Sequence, residues 1–139
     1  MADEKPNQPP PIPSPSPVSQ PMWDAAKEGK LVLQVDPGSG KAQFWSRPVN
    51  VQTGKADYEW REVSGKGTLS AWTKVHVPAP GFADRVPYFL GSVDLTEGGR
   101  VVAQLVNIED DALTPGMAVK VSWEKRSEDI SVYQFEPDD

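Results

Sequence analysis

Residues 67–95 read GTLSAWTKVHVPAPGFADRVPYFLGSVDL, two apolar-alternating segments around a loop with three prolines. Over residues 68–77, Leu69, Ala71, Thr73, Val75 and Val77 share one parity, while Ser70, Trp72, Lys74 and His76 share the other. That period of two predicts a half-buried strand with the first set facing the core. A second strand is predicted over residues 88–95. Pro78, Pro80 and Pro87 each lack a backbone donor and fix φ, so pairing must stop between the two strands. The loop is therefore expected to leave the sheet as a stiff projection carrying Phe82, Asp84 and Arg85.

Working outward, further strands are predicted over residues 100–106, 118–124 and 130–135. They are separated by EGG at 97–99, EDDALTPGM at 109–117 and KRSED at 125–129. The first strand extends back to residue 60, with a kink at 64–67. Glycine-bearing turns between alternating strands argue for a small closed antiparallel sheet. Five strands with a long, bent first one outline an OB-fold barrel, assigned here to residues 60–139.

Residues 22–59 read differently. Short strands are predicted over 30–35, 42–45 and 56–63, joined by the turns DPGSGK at 36–41 and NVQTGK at 50–55. DPGSGK superficially suggests a phosphate loop, but Val35 stands where that pattern needs glycine and Ala42 where it needs Ser or Thr. Ahead of the strands, Ser19 suits the cap of a helix of about two turns, with Pro21 in its first turn and Gly29 as its left-handed stop. Met22, Trp23 and Ala26 give it one apolar face. So short a helix needs tertiary contacts, either with its own domain or with a partner.

Residues 1–21 hold eight of the fifteen prolines, including the run PPPIPSPSP at 9–17. So polar a segment is expected to stay extended and disordered, as a tether or as a PxxP ligand for a partner. The organisation is thus a tail over 1–21, a helix with a small sheet over 22–59, and a barrel over 60–139.

Composition narrows the function. The net charge is −6 and no run of Lys and Arg occurs, which disfavours nucleic acid as a partner. There is no cysteine, hence no disulfide framework and no thiolate for zinc. Neither a signal peptide nor a stretch of about 20 apolar residues is visible, and a cytoplasmic location is expected. With no Cys and a single His, few nucleophile and base pairs can be assembled, so no enzyme activity is expected of the chain.

Candidate contact residues follow from exposure and chemistry. Phe82 sits between Pro80 and Pro87, where an aromatic side chain is covered only by folding back or by another chain. His76 either packs beside Trp72 or touches a ligand or partner. Phe44 and Trp45 are adjacent, so one of them must face outward. Trp60, Trp72 and Trp123 are expected in the core or barrel wall. Lys41, Arg47, Lys55 and Arg85 come from turns and could meet phosphates or a partner's carboxylates.

The segments WDAAKEGKLVLQ, QFWSRPV, EWREVSGKGTLSAWTKVHVPAPGF, VPYFLGSVDLTEG and LTPGMAVKVSWE, in this order, resemble the small OB-fold family that carries an N-terminal rubredoxin-like zinc ribbon. Members of that family accompany thiolases, aldolases and other acyl-CoA enzymes. The resemblance puts the four zinc-ligand places at Asp36, Ser39, Asn50 and Thr53, each pair followed by its glycine, Gly40 or Gly54. It implies a degenerate, metal-free ribbon ahead of the barrel. It also implies a non-catalytic accessory subunit that binds a thiolase-like or aldolase-like enzyme and helps form its acyl-CoA site. Trp23, Arg47, His76, Phe82 and Arg85 are the expected contacts to partner or acyl-CoA, with the coenzyme A thioester belonging to the partner's substrate. The alternatives are a stand-alone acyl-CoA-binding protein and a single-stranded nucleic-acid-binding OB module.

Without thiolate or imidazole at the four ribbon places, purified protein should carry no stoichiometric zinc, and a chelator should leave its melting temperature unchanged. One zinc per chain by elemental analysis would contradict the degenerate ribbon.

Overall fold

The computed structural model describes residues 9–138. Helix α1 (Gln20–Ala26) precedes strands β1 (Val32–Val35), β2 (Ala42–Gln43) and β3 (Glu59–Glu62). Then follow β4 (Lys66–Val75), β5 (Tyr88–Leu95), β6 (Arg100–Leu105), β7 (Ala118–Lys125) and β8 (Ser131–Pro137). The first three strands form a sheet in the order β2-β1-β3, and the other five close a barrel in the order β4-β5-β6-β8-β7. This is the expected all-β architecture with a short helix and an OB-type barrel. Among the described residues no helix is long and apolar enough to cross a membrane.

Two details differ from the sequence reading. The single bent strand expected from Trp60 is two strands of different sheets: Trp60 sits opposite Gln34 in the three-stranded sheet, and the barrel begins at Lys66. The barrel is also not wholly antiparallel. β6 and β8 run parallel and pair at a single position, Leu105 with Phe135.

The alternation expected over residues 68–77 breaks at Ser70. Leu69 pairs with Val93 but Ala71 pairs with Ser92, so Ser70 is an extra residue on β4. Such a bulge reverses which parity faces inward. Leu69 is fully buried as expected, but Ala71 and Thr73 are exposed and Trp72, opposite Gly91, packs half-buried against the core. Val77 lies beyond the strand and is 83% exposed.

One continuous core joins both sheets. Leu69, Val93, Val101, Leu105, Val119 and Phe135 fill the barrel, while Leu31, Leu33, Val35 and Phe44 extend the cluster under the small sheet. Helix α1 closes one side with Met22 and Ala26 buried. Ser19 precedes the helix as expected, yet its hydroxyl bonds to Ser16 rather than capping a helical N–H. The turn at 97–99 ties the sheets together: Ala42 N–H donates to the Glu97 carbonyl and Ser64 N–H to its carboxylate.

Two segments expected to stand clear of the barrel touch it. The loop 78–87 folds back, with Arg85 bonded to Gln104 of β6 and to Glu124 of β7. Within the proline-rich stretch, the Pro11 carbonyl accepts a bond from Arg126. Residues 1–8 of the expected tail lie outside the described residues.

Gly67 and Gly91 make the barrel close. A Cβ on Gly67 would run into the Asp94 carbonyl, which is fixed backbone, whereas one on Gly91 would meet the ends of Leu69 and Leu105 at 2.7 and 2.8 Å. Gly91→Ala should cost about 1–3 kcal/mol by overpacking, and Gly67→Ala more, measured by urea denaturation. Equal or negligible losses would contradict the closure described.

Candidate functional site

Because β6 and β8 pair only at Leu105 and Phe135, the barrel wall parts along this seam. A cleft of about 300 Å³ opens there. Its walls are largely apolar, from Leu90, Val102, Val132 and Tyr133, and its rim carries Gln104, Glu124, Arg126 and Phe82. Among the lining residues there is no Ser, Cys, Lys or His. The cleft is thus shaped for an apolar group with a polar or anionic end.

The rim is built by the folded-back loop. Phe82 N–H donates to Ala79 O and Arg85 N–H to Phe82 O, two consecutive turns that aim both side chains at the barrel. Arg85 Nη2 then lies 2.6 Å from Glu124 Oε2, and Arg126 Nε 2.6 Å from Oε1 of the same carboxylate. Phe82 is flanked by the two guanidiniums, at 5.0 Å and 5.5 Å from its ring centroid, and leans on Tyr88 at 5.6 Å. Two cations share one anion, leaving the rim net positive. Burial opposes ionisation of Glu124, but hydrogen bonds from Arg126 and Arg85, with their charges, outweigh it and hold the carboxyl below its ordinary value.

Tyr133 forms part of the wall and meets three parts of the molecule. Its ring stacks with Trp23 of α1 at 6.4 Å and takes Phe44 edge-on at 5.5 Å. Burial pushes its phenol up to about 12, so it stays neutral at physiological pH.

The two matched turns lie in the small sheet. Asp36 N–H donates to Lys41 O and Gly40 N–H to Asp36 O; in the same pattern Asn50 N–H donates to Lys55 O and Gly54 N–H to Asn50 O. Gly40 and Gly54 share a φ of +74°, which the turn requires and glycine supplies. The four places implied for zinc do not fit that metal. Asp36 Oδ2 already accepts from Ser39 N–H and Oγ, and Oδ1 from Asn50 Nδ2. Asn50 Oδ1 accepts from Gln52 N–H, and Thr53 Oγ1 bonds to Asp57. Among the described residues no group of three His, Cys, Asp or Glu is placed to hold a metal.

Of the predicted contact residues, only Phe82 and Arg85 come together, at the cleft rim. Trp23 is half-buried against Tyr133 of its own barrel. Arg47 and His76 are exposed elsewhere; the Arg47 backbone is fixed by Gln34, which accepts from its N–H and donates to its carbonyl. Phe44 is buried and Trp45 is 60% exposed; Val49 and Val51 are exposed as well. The sequence reading passed over Glu124, Arg126 and Tyr133. Glu124 read as a strand end, Arg126 as part of a turn and Tyr133 as one more strand residue, and nothing in the local pattern linked them to a loop some forty residues earlier.

The ion pairs predict an acid response. A carboxyl held low in the folded state contributes stability that is present above its unfolded value, 4.5 for Glu124, and is lost as pH falls through the folded value. Glu124→Gln should therefore cost about 1–2 kcal/mol at pH 7 and progressively less below pH 4.5, by denaturation across pH. A difference constant from pH 7 down to strong acid would contradict the arrangement.

With this geometry in place, the comparisons with known proteins are specific. A family model described as "ChsH2, C-terminal OB-fold domain" matches residues 60–124. A probable enoyl-CoA hydratase alpha subunit of Thermomonospora curvata is 30% identical over 83% of this chain and 36% of its own length. A DUF35 domain-containing scaffold protein of Pyrococcus furiosus is 37% identical over 63% of this chain and 64% of its own. The chain thus spans between about a third and two thirds of these curated relatives. Among solved structures, a chain of the Ltp2-ChsH2(DUF35) aldolase superposes with a TM-score of 0.78 at 28% identity, over 90% of this chain and 98% of that one. A DUF35 protein of unknown function from Sulfolobus solfataricus shares the fold, with a TM-score of 0.59 at 11% identity, over 88% of this chain and 87% of that one. Barrel, family model and relatives together support a small OB-fold protein similar to the ChsH2/DUF35 family.

Proposed function

We propose that the chain is a non-catalytic accessory subunit that binds and supports an acyl-CoA enzyme of the thiolase superfamily in the cytoplasm. The observation that carries this reading is the near end-to-end likeness to a chain of the Ltp2-ChsH2(DUF35) aldolase, which favours an aldolase-like over a thiolase-like partner. The scaffold names of the archaeal relatives agree with a supporting role. In this reading Trp45, Val49 and Val51, each exposed on the stretch from the end of β2 into the small sheet's second turn, form part of the enzyme contact. The apolar cleft with its positive rim suits the acyl portion and polar linkage of a coenzyme A thioester, with Phe82 and Arg85 at its edge. Arg47 and His76 remain available to a partner or to coenzyme A phosphates. The net charge of −6 speaks against the nucleic-acid alternative.

Co-purification of the tagged full-length chain from its native host, with acyl-CoA turnover measured on the product, tests the reading. A stoichiometric thiolase-fold subunit should co-elute and lose activity when the accessory chain is removed. Trp45→Ala should weaken that complex by roughly 2 kcal/mol while leaving the isolated chain's stability within about 0.5 kcal/mol. A monomer that binds coenzyme A alone, with no enzyme attached, would instead support the stand-alone alternative.

A further inference from the structure

Residues 9–11 approach the 78–87 loop so closely that a Cβ on Gly81 would stand 2.6 Å from both Pro10 Cα and the Pro9 carbonyl oxygen. Glycine alone leaves that space, and its φ of +87° suits the same residue. One residue on, the Phe82 ring has the guanidiniums of Arg85 and Arg126 at 5.0 and 5.5 Å from its centroid. Arg126 Nη1 donates a 2.7 Å bond to the Pro11 carbonyl. An extended proline-rich segment has no internal hydrogen bonds, keeps its carbonyls free, and loses little entropy when held. A surface that receives one combines an aromatic ring with a donor aimed at a prolyl carbonyl.

We propose that Gly81, Phe82 and Arg126 form a docking surface for an extended proline-rich peptide, with residues 9–11 of this chain as its resident occupant, and that occupancy fixes one wall of the seam cleft. The coupling has a covalent basis in shared side chains. Phe82 and Arg126 both line the cleft, and Arg126 binds Glu124 through Nε while binding Pro11 through Nη1. The strap thus holds a wall that it does not itself line. This inference concerns the isolated chain, so it stands or falls separately from the proposed enzyme partner.

Backbone ¹⁵N relaxation on the full-length chain reads the strap at Ile12 and Ser14, the amides that follow the proline run. Order parameters near 0.85, typical of rigid backbone, are expected in the unaltered chain, falling below about 0.6 in Gly81→Ala and in Arg126→Met. Gly81→Ala replaces none of the side chains in the Glu124 ion pairs, so agreement between the two variants separates loss of the strap from loss of the rim. Should either variant fail to fold, replacing Pro9, Pro10 and Pro11 by serine alters no barrel residue; it should loosen the same amides and shift the Arg126 Nε–H resonance. Order parameters below about 0.6 in the unaltered chain would overturn the proposal, as would rigid amides in the variants or an unmoved Arg126 resonance. Rigidity that appears only at high protein concentration would assign the occupant to a second copy, and would overturn it equally.

Discussion

Strand β4 has to serve two neighbours at once. Its first residues pair with β7 and nearly its whole length pairs with β5, so the strand must bend for the barrel to close. Gly67 permits the bend because its missing side chain lets the Asp94 backbone come close. The bulge at Ser70 adds local twist and turns Trp72 inward across from Gly91, supplying bulk at the place where the opposite strand has none. Everything downstream inherits this geometry. The seam between β6 and β8 falls where the five strands meet again, and it meets with a single paired position.

The small sheet is held by a different economy of interactions. Its two turns present few apolar side chains, and the sheet instead buries Gln34 of β1, Gln43 of β2 and Asn50 of the second turn. Buried amides are costly unless satisfied, and these are. Gln43 Nε2 donates to Gln34 Oε1 and to Val49 O, Gln34 Nε2 donates to Arg47 O, and the Gln43 oxygen accepts from Val51 N–H. The network fixes the chain from residue 47 to 51 against β1 and β2, which is why Trp45, Val49 and Val51 stay on the outside. The link from Asp36 to Asn50 then joins one turn to the other.

Much of the fold was legible because it rests on local signals. Turn glycines, alternation in β5 and β6, and the opposite facing of the neighbours Phe44 and Trp45 were readable from residue types and spacing, though not which of the two aromatics is the outward one. The orientation of β4 beyond Leu69 was not, because one extra residue reverses parity and Ser70 carries no mark of a bulge. The candidate site was legible only by halves. Proline marked the 78–87 loop as special, but whether it projects or folds back depends on Glu124 and Gln104, which are distant in sequence and unremarkable in their own strands. Trp23 shows the same limit: an apolar helix face announces burial without naming the surface that covers it.

Tyr133 belongs at once to the cleft wall, to the stack with Trp23 and to the edge contact with Phe44. A close-packed ring of this kind cannot be displaced on one side alone. By thermodynamic reciprocity, any ligand that shifts the ring changes the free energy of holding α1 and the small sheet where they are, and any protein that grips those elements changes the ligand's affinity by the same factor. The barrel's cleft face and its amino-terminal flank are thereby linked through one phenol ring, over a path short enough to need no large motion.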